Sequence, residues 1–157
     1  MTTPIHYQDA EGLKTLISEE FGPWSASVRV TQDMINQFAE LSGDHMWLHV
    51  DVERCKKESP FGKPIAHGFL LLSMLSRFPS LPDVSRIVTG YRTMMNYGSD
   101  KLRFVGAVPV DSEIHARSRI KEVEVAPKKT KVVAETQLKV VGQENPALLY
   151  ELMFVYL

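Results

Sequence analysis

The sequence predicts an α+β fold in which an antiparallel sheet wraps around one central helix. Residues 67–78 read His-Gly-Phe-Leu-Leu-Leu-Ser-Met-Leu-Ser-Arg-Phe and are apolar on nearly every side, which is typical of a buried helix. The second half of the chain carries a series of β-rich segments separated by turn residues, a pattern typical of antiparallel strands. A sheet curled around the helix is the simplest packing that buries both.

Two elements are predicted at the start of the chain. Residues 9–20 place Leu13, Leu16 and Ile17 at helical spacing before a Gly-Pro pair breaks the pattern, which predicts a short leading helix. Residues 24–30 alternate between apolar and polar side chains. This alternation predicts a half-buried first strand.

A second helix and an irregular segment come next. Thr31 can cap a helix whose apolar residues follow helical spacing until Gly43 ends it. Residues 44–64 look irregular, with one helical turn near residues 52–57. The segment connects this helix to the apolar central helix.

Four strands are predicted after the central helix, with turns at residues 126–128 and 142–146 that make the last three strands hairpins. Met94, Met95 and Met153, with Phe69 and Leu72, are expected in the core. The predicted strands span residues 87–97, 112–121, 130–141 and 148–156.

Length and composition indicate one domain over residues 1–157, with residues 1–22 as a leading segment. The formal net charge of −1 argues against a partner such as nucleic acid or an anionic membrane. A single cysteine, Cys55, excludes an internal disulfide framework, and we expect a free thiol on an exposed turn. No secretory signal or membrane-spanning run is visible, so we expect a cytoplasmic protein.

The segment after the second helix contains a candidate acid/base pair. Asp44 follows the helix-ending glycine, and His49 comes five residues later, where a turn can aim both side chains into one cleft. A carboxylate and an imidazole can together orient a water molecule and exchange protons with it. The alternative is that Asp44 caps the following turn and that His49 is a surface histidine.

The start of the central helix offers a second candidate feature. Gly68 leaves backbone N–H groups open to a ligand oxygen, and such donors can stabilise an enolate-like oxygen formed from a thioester carbonyl. Tight packing of helix against sheet is an equally compatible reason for this glycine. We expect His67 to be structural and satisfied by backbone, and Ser73 to bond a carbonyl of its own helix. Ser76, two turns beyond Gly68, is the better candidate for a pocket contact.

Several short motifs together resemble one known family, the MaoC-like hydratases, and in particular the (R)-specific enoyl-CoA hydratases that feed polyhydroxyalkanoate synthesis. The resemblance implies a hot-dog fold, an antiparallel sheet wrapped around a central helix. It also implies a homodimer with acyl-CoA sites near the subunit interface. The motifs are Phe38–Asp44 (FAELSGD), Leu48–Asp51 (LHVD), Phe61–Gly62, Ile65–Leu70 (IAHGFL), Asn96–Gly98 and Leu102–Val105.

The resemblance also implies roles for individual residues. Asp44 and His49 match the catalytic dyad that holds the reacting water, Gly68 matches the residue whose amide polarises the thioester carbonyl, and Ser76 matches an active-site serine. Many members read Asp-x-Asn-Pro-x-His, whereas this chain reads Asp-His-Met-Trp-Leu-His, so the orientation of the dyad lacks one expected support. The implied reaction is reversible hydration of trans-2-enoyl-CoA to (R)-3-hydroxyacyl-CoA, with no metal and no other cofactor.

Two other functions remain open at this stage. A hot-dog thioesterase would share the fold and the acyl-CoA ligand but would hydrolyse the thioester. A non-catalytic acyl-CoA-binding subunit would bind without chemistry, and fold alone does not choose among these. Lys128, Lys129 and Lys131, near a hairpin tip, are expected to be solvated, with contact to CoA phosphates as the minority interpretation.

Overall fold

The computed structural model describes residues 3–78 and 87–157. The helices are α1 (Ala10–Lys14), α2 (Gln32–Ser42), α3 (Trp47–Val50), α4 (Val52–Glu58) and α5 (Gly68–Met74), the last continued by a 3-10 turn at Leu75–Arg77. The strands are β1 (Ile5–His6), β2 (Val28–Arg29), β3 (Val88–Thr89), β4 (Met94–Phe104), β5 (Glu113–Ala126), β6 (Lys129–Val140) and β7 (Leu148–Tyr156). The predicted strand 87–97 lies within these ranges and is divided between β3 and the first residues of β4.

Five strands form one sheet in the order β2-β5-β6-β7-β4, and all of its pairings are antiparallel. The predicted hairpins are present, since β5 pairs with β6 and β6 pairs with β7. Lys128 has φ 60° in the first hairpin turn, and Gly142 has φ 85° after β6. β4 is the last strand of the sheet on one side, so one of its edges has no strand partner within the described residues.

The main hydrophobic core lies between α5 and the inner face of the sheet. Leu70, Leu71 and Met74 of α5 belong to one buried cluster with side chains of β5 to β7, among them Ile114 and Leu148. α2 closes the same cluster through Ile35, which is fully buried. The helix and the sheet therefore bury one another as the sequence predicts.

The leading segment packs against a second cluster. Leu13 of α1 is fully buried there with Ile120, Phe154 and Tyr156. β1 pairs with β3 in a separate two-stranded parallel sheet. The backbone oxygen of Tyr7 accepts a short hydrogen bond from the hydroxyl of Thr130 on β6.

Both leading elements are shorter than predicted. α1 ends at Lys14, because the chain then turns to run beside β5. There Ile17 forms a β-bridge with Ile120, and the Ser18 N–H donates to the Ile120 carbonyl at 3.0 Å. β2 begins at Val28 rather than at residue 24. Before it, the Ser25 hydroxyl, and not a backbone carbonyl, accepts the Ala116 N–H at 3.1 Å, which interrupts a regular ladder.

Three of the residues expected in the core are exposed instead. Phe69 is 62% exposed, and Met94 and Met95 are 46% and 48% exposed. The ring of Phe69 lies at the surface, in edge-on contact with Phe104, and the methionines lie on the edge strand β4, whose outer edge has no strand partner among the described residues. Met153 is buried as expected, and Leu72 is half-buried.

No helix in residues 3–78 or 87–157 combines the length and apolar character needed to cross a membrane.

Candidate active site

Asp44 is placed by the end of α2. Gly43 ends the helix with φ 78°, a left-handed conformation that favours glycine, and its N–H donates to the Ala39 carbonyl at 2.9 Å. Asp44 follows at once and is exposed. Its Oδ1 accepts from the Met46 N–H at 3.3 Å, so the turn-capping role that sequence left open is present in weak form. The carboxylate remains available to solvent or substrate.

His49 is placed by α3, a short helix that sequence did not predict. The fold buries its imidazole, so it is not a surface histidine. Its Nδ1 lies 2.7 Å from the Ile65 carbonyl oxygen. Because a carbonyl can only accept, Nδ1 carries the hydrogen and donates, which leaves Nε2 with the lone pair in the neutral ring.

His67 joins these two residues. Its Nε2 donates to the Asp44 backbone carbonyl at 2.9 Å, which confirms the expected backbone partner. Its ring stacks on that of His49 with centroids 3.8 Å apart. A carboxylate oxygen of Asp44 and one ring nitrogen from each histidine lie within 4.8 Å of one another. The structure thus brings the predicted pair together and adds a third side chain.

Sequence reasoning assigned His67 only a structural place. One feature of the sequence could have indicated that His67 belongs to the site, namely its position directly before Gly68. A residue that precedes the start of a helix lies close to any group that binds at that start. Burial lowers the pKa of His67, mainly through desolvation, and the neighbouring His49 lowers it further. The ring is therefore neutral over the range in which an ordinary histidine begins to titrate.

The three ligand atoms raise the question of a metal ion. Lone pairs of imidazole nitrogens lie in the ring plane, and the two rings face each other with an interplanar angle of only 27°. Both lone pairs cannot point at one ion while the rings remain stacked, although Zn²⁺ requires ligands directed at it. This geometry favours proton chemistry, and the expected absence of a metal stays a prediction.

Gly68 begins α5, next to His67 in the chain. A side chain here would collide with a neighbour, because an added Cβ would lie 2.8 Å from the nearest ring atom of Phe104. Phe104 also contacts Phe69 edge-on, with centroids 5.3 Å apart. The packing reason for this glycine is thus present, and as the first residue of the helix it has no intrahelical acceptor for its N–H.

Ser76 is exposed in the 3-10 turn after α5 and lies outside the cluster of Asp44, His49 and His67. A helical rise of about 1.5 Å per residue puts it about 12 Å along the axis from Gly68. Ser73 donates to the Phe69 carbonyl at 2.8 Å, as expected for a serine within a helix. The structure therefore brings Gly68 to the site and leaves Ser76 at its periphery.

Cys55 is fully buried in α4, so the expectation of an exposed thiol was wrong. The Sγ lies 3.5 Å from the Trp47 carbonyl oxygen and 3.6 Å from that of Leu48, both in α3. Burial raises the pKa of the thiol, which keeps it protonated and unreactive. Its role is to pack α4 against the helix that carries His49.

The lysines of the first hairpin have partners of their own. Lys131 pairs with Glu124 at 2.5 Å and with Glu122 at 3.7 Å, and Lys129 lies over the Tyr97 ring at 4.5 Å. Lys128 lines a cleft with Arg92. None of them belongs to the cluster around Asp44.

Comparison with known proteins agrees with this fold. A family profile described as MaoC like domain matches residues 22–142. Over 151 residues the chain is 36% identical to the 3-hydroxyacyl-thioester dehydratase Z of Mycobacterium tuberculosis, and the match covers 96% of this chain and 97% of that protein.

Two solved structures have the same architecture. One is an (R)-hydratase from A. caviae involved in PHA biosynthesis, with a TM-score of 0.67, 25% identity, and coverage of 87% of this chain and 96% of that one. The other is a monoamine oxidase regulatory protein from Archaeoglobus fulgius, with a TM-score of 0.72, 25% identity, and coverage of 98% and 95%. The predicted hot-dog fold is confirmed.

Proposed function

The chain belongs to the MaoC-like domain family and is a hydro-lyase of the hydratase and dehydratase type. From that premise we propose that it catalyses the reversible, (R)-specific hydration of a trans-2-enoyl-CoA to an (R)-3-hydroxyacyl-CoA. Asp44 and His49 form the catalytic dyad in this proposal. The resemblance to an (R)-hydratase of PHA biosynthesis supports this stereochemistry and a place in fatty acid or polyhydroxyalkanoate metabolism.

One observation carries the assignment of the dyad. Asp44 follows the end of α2 and His49 lies in α3, yet a carboxylate oxygen of Asp44 and a ring nitrogen of His49 lie within 4.8 Å of each other. The Nδ1–H of His49 is occupied by the Ile65 carbonyl, so any proton that His49 exchanges passes through Nε2. A water molecule between Nε2 and the carboxylate would contact a proton acceptor on two sides.

The reaction balances with these groups alone. The oxygen of water bonds to the β-carbon, one of its protons passes to the dyad, and a proton is delivered to the α-carbon as the double bond is lost. Negative charge accumulates meanwhile on the thioester oxygen. The N–H of Gly68 is proposed to donate to that oxygen, because it is free of an intrahelical partner and lies at the positive end of α5. Ser76 is proposed as a substrate contact farther along the helix.

We also propose that the working unit is a homodimer that binds acyl-CoA. β4 is an edge strand with exposed apolar side chains, and Phe104, the last residue of that strand, contacts the start of α5 beside the dyad. A second copy paired along β4 would cover this edge and bring its own surface next to the acyl site.

The test is loss of the enoyl-thioester absorbance of crotonyl-CoA and octenoyl-CoA, with chiral analysis of the product. We expect wild-type protein to form the (R)-alcohol, and Asp44→Asn and His49→Gln each to lower kcat by about 10² to 10⁴. His45→Gln is the matched control, because His45 lies in the same loop but is exposed and bonded to Glu40 at 2.9 Å. Near wild-type rates in either dyad variant would refute the assignment.

The same samples separate the two other functions. A thioesterase would release free CoA thiol, which a thiol reagent detects. An acyl-CoA-binding subunit would bind without loss of the absorbance band. Either result would contradict the proposed hydratase.

A further inference from the structure

His67 makes two contacts that meet at the proposed dyad. Its Nε2–H donates to the Asp44 backbone carbonyl at 2.9 Å, and its ring stacks on His49 at a centroid distance of 3.8 Å. Phe38 of α2 also contacts this ring, with the two ring centroids 5.0 Å apart. The side chain is 2% exposed, so it has no freedom to leave these contacts.

Asp44 itself makes few other hydrogen bonds in the described chain, and both of them are long. The Asp44 N–H lies 3.3 Å from the Ser42 hydroxyl, and Oδ1 lies 3.3 Å from the Met46 nitrogen. The residues between Asp44 and Leu48 are His45, Met46 and Trp47, none of which has a side-chain amide to bond across the turn. Among the hydrogen bonds of Asp44, the one from His67 is therefore the shortest, and it joins Asp44 to the residue directly before Gly68.

We propose that His67 is a positioning residue for the hydration reaction, which fixes the backbone of Asp44 through its Nε2–H and the imidazole plane of His49 through stacking. The inference rests on the proposed function, since it assumes that Asp44 and His49 form the dyad. In this proposal His67 acts through one hydrogen bond and one ring-stacking contact, and it transfers no proton.

The state of the ring supports a positioning role. Because Nε2 must donate to a carbonyl, the lone pair of the neutral ring is on Nδ1, which is buried and has no hydrogen-bond partner. A buried nitrogen without a hydrogen-bond partner is a poor acid or base. Desolvation is the largest influence on the ring and lowers the pKa of His67. Of the titratable groups that face the ring, His49 and His45 lower the pKa further, whereas Asp44 raises it. The ring thus stays neutral where an ordinary histidine would begin to take up a proton.

Two variants separate the hydrogen bond from bulk packing. His67→Gln can place an amide N–H near the position of Nε2, whereas His67→Leu fills similar volume without a donor. We expect Leu to lower kcat for crotonyl-CoA by about 10²-fold, because misplacement on the order of 1 Å has that effect, while KM changes little. Gln is expected to recover at least about tenfold of that loss. The pH profile of kcat should have the same shape in the Gln variant as in wild-type protein, because His67 transfers no proton in this proposal.

His115 provides the matched control. Like His67, it has one buried ring nitrogen without a hydrogen-bond partner, in this case Nε2. Its ring stacks on an aromatic neighbour, Trp24, at 4.2 Å, and burial lowers its pKa. It lies on β5 and contacts neither Asp44 nor His49. His115→Leu should change the thermal unfolding midpoint but leave kcat near the wild-type value. A purely structural role for His67 would make the two Leu variants alike.

Hydrogen exchange of the peptide covering residues 43–49 gives a readout that needs no turnover. We expect faster exchange in His67→Leu than in wild-type protein, and exchange close to wild-type in His67→Gln. If Leu does not fold, His67→Asn replaces it, because its shorter amide cannot reach the position of Nε2. Equal activity and equal exchange in the donor-bearing and donor-free variants would overturn the proposal, as would loss of a pH limb in His67→Gln.

The proposed function can fail separately. In that case wild-type protein would not hydrate any enoyl-CoA, while the exchange rates would still report whether His67 holds the loop.

Discussion

At the scale of single residues, Gly68 is constrained by its neighbour Phe104. Three atoms of that ring would lie 2.8 to 2.9 Å from a Cβ at position 68, closer than real Cβ contacts. We expect Gly68→Ala to displace either the ring or the first turn of α5 and to misalign the N–H proposed to polarise the thioester. The predicted effect is a decrease in kcat/KM of about 10²-fold.

A second substitution tests the cause. Phe104→Leu removes the flat ring that the new methyl would meet, so the double variant should recover part of the activity lost in Gly68→Ala. The coupling between the two changes is measured by assaying all four proteins with crotonyl-CoA. Strictly additive effects would show that the methyl acts through something other than Phe104.

Residue chemistry was predictable from sequence where a motif fixed it and not where burial decided it. Their spacing after Gly43 made one cleft for Asp44 and His49 possible, the family resemblance made it the expectation, and the structure brings the two side chains together. The participation of His67 was missed, because its ring reaches the Asp44 carbonyl across 23 positions of sequence. Cys55 was misplaced for the same kind of reason, since its basic neighbours Arg54, Lys56 and Lys57 suggested an exposed turn, whereas α3 covers the thiol.

At the scale of elements, the leading segment is part of the fold rather than an appendage. Leu13 of α1 is fully buried against β5 and β7, and we propose that residues 1–157 form one domain with this segment included. Leu13→Ala should lower the free energy of unfolding by about 2 to 5 kcal/mol, measured by urea denaturation. Ile17→Ala is the control, since Ile17 is 39% exposed and its truncation should cost less.

Equal effects of the two truncations would mean that α1 does not pack on the sheet in solution.

Element boundaries are the feature that sequence patterns predict least well. The alternation at residues 24–30 predicted seven residues of strand, but the Ser25 hydroxyl takes a ladder position and only Val28–Arg29 pairs regularly. α2 was predicted at both ends because its limits are local, a Thr31 hydroxyl that accepts the Met34 N–H and a left-handed Gly43.

At the scale of the whole molecule, the apolar residues misassigned to the core indicate a surface. Met94 and Met95 were expected inside because strand-like apolar runs are usually covered, and a single chain leaves them on the open edge of β4. Sequence periodicity reports that a side chain will be buried but not whether its cover comes from the same chain. The expectation of burial and the exposure in one chain agree if a second copy covers β4.

This argument predicts the mass of the protein and its response to a charge on β4. Light scattering after size exclusion should give twice the 17.8 kDa of one chain. Met95→Asp should shift the population to monomers and lower hydratase activity with it, because a buried, unpaired carboxylate disfavours pairing. Val141→Asp is the control: Val141 is 46% exposed but follows β6, away from β4, and should leave the mass and the activity unchanged. A wild-type monomer with full activity would contradict the dimer, whereas a monomeric Met95→Asp with full activity would show that each site is complete within one chain.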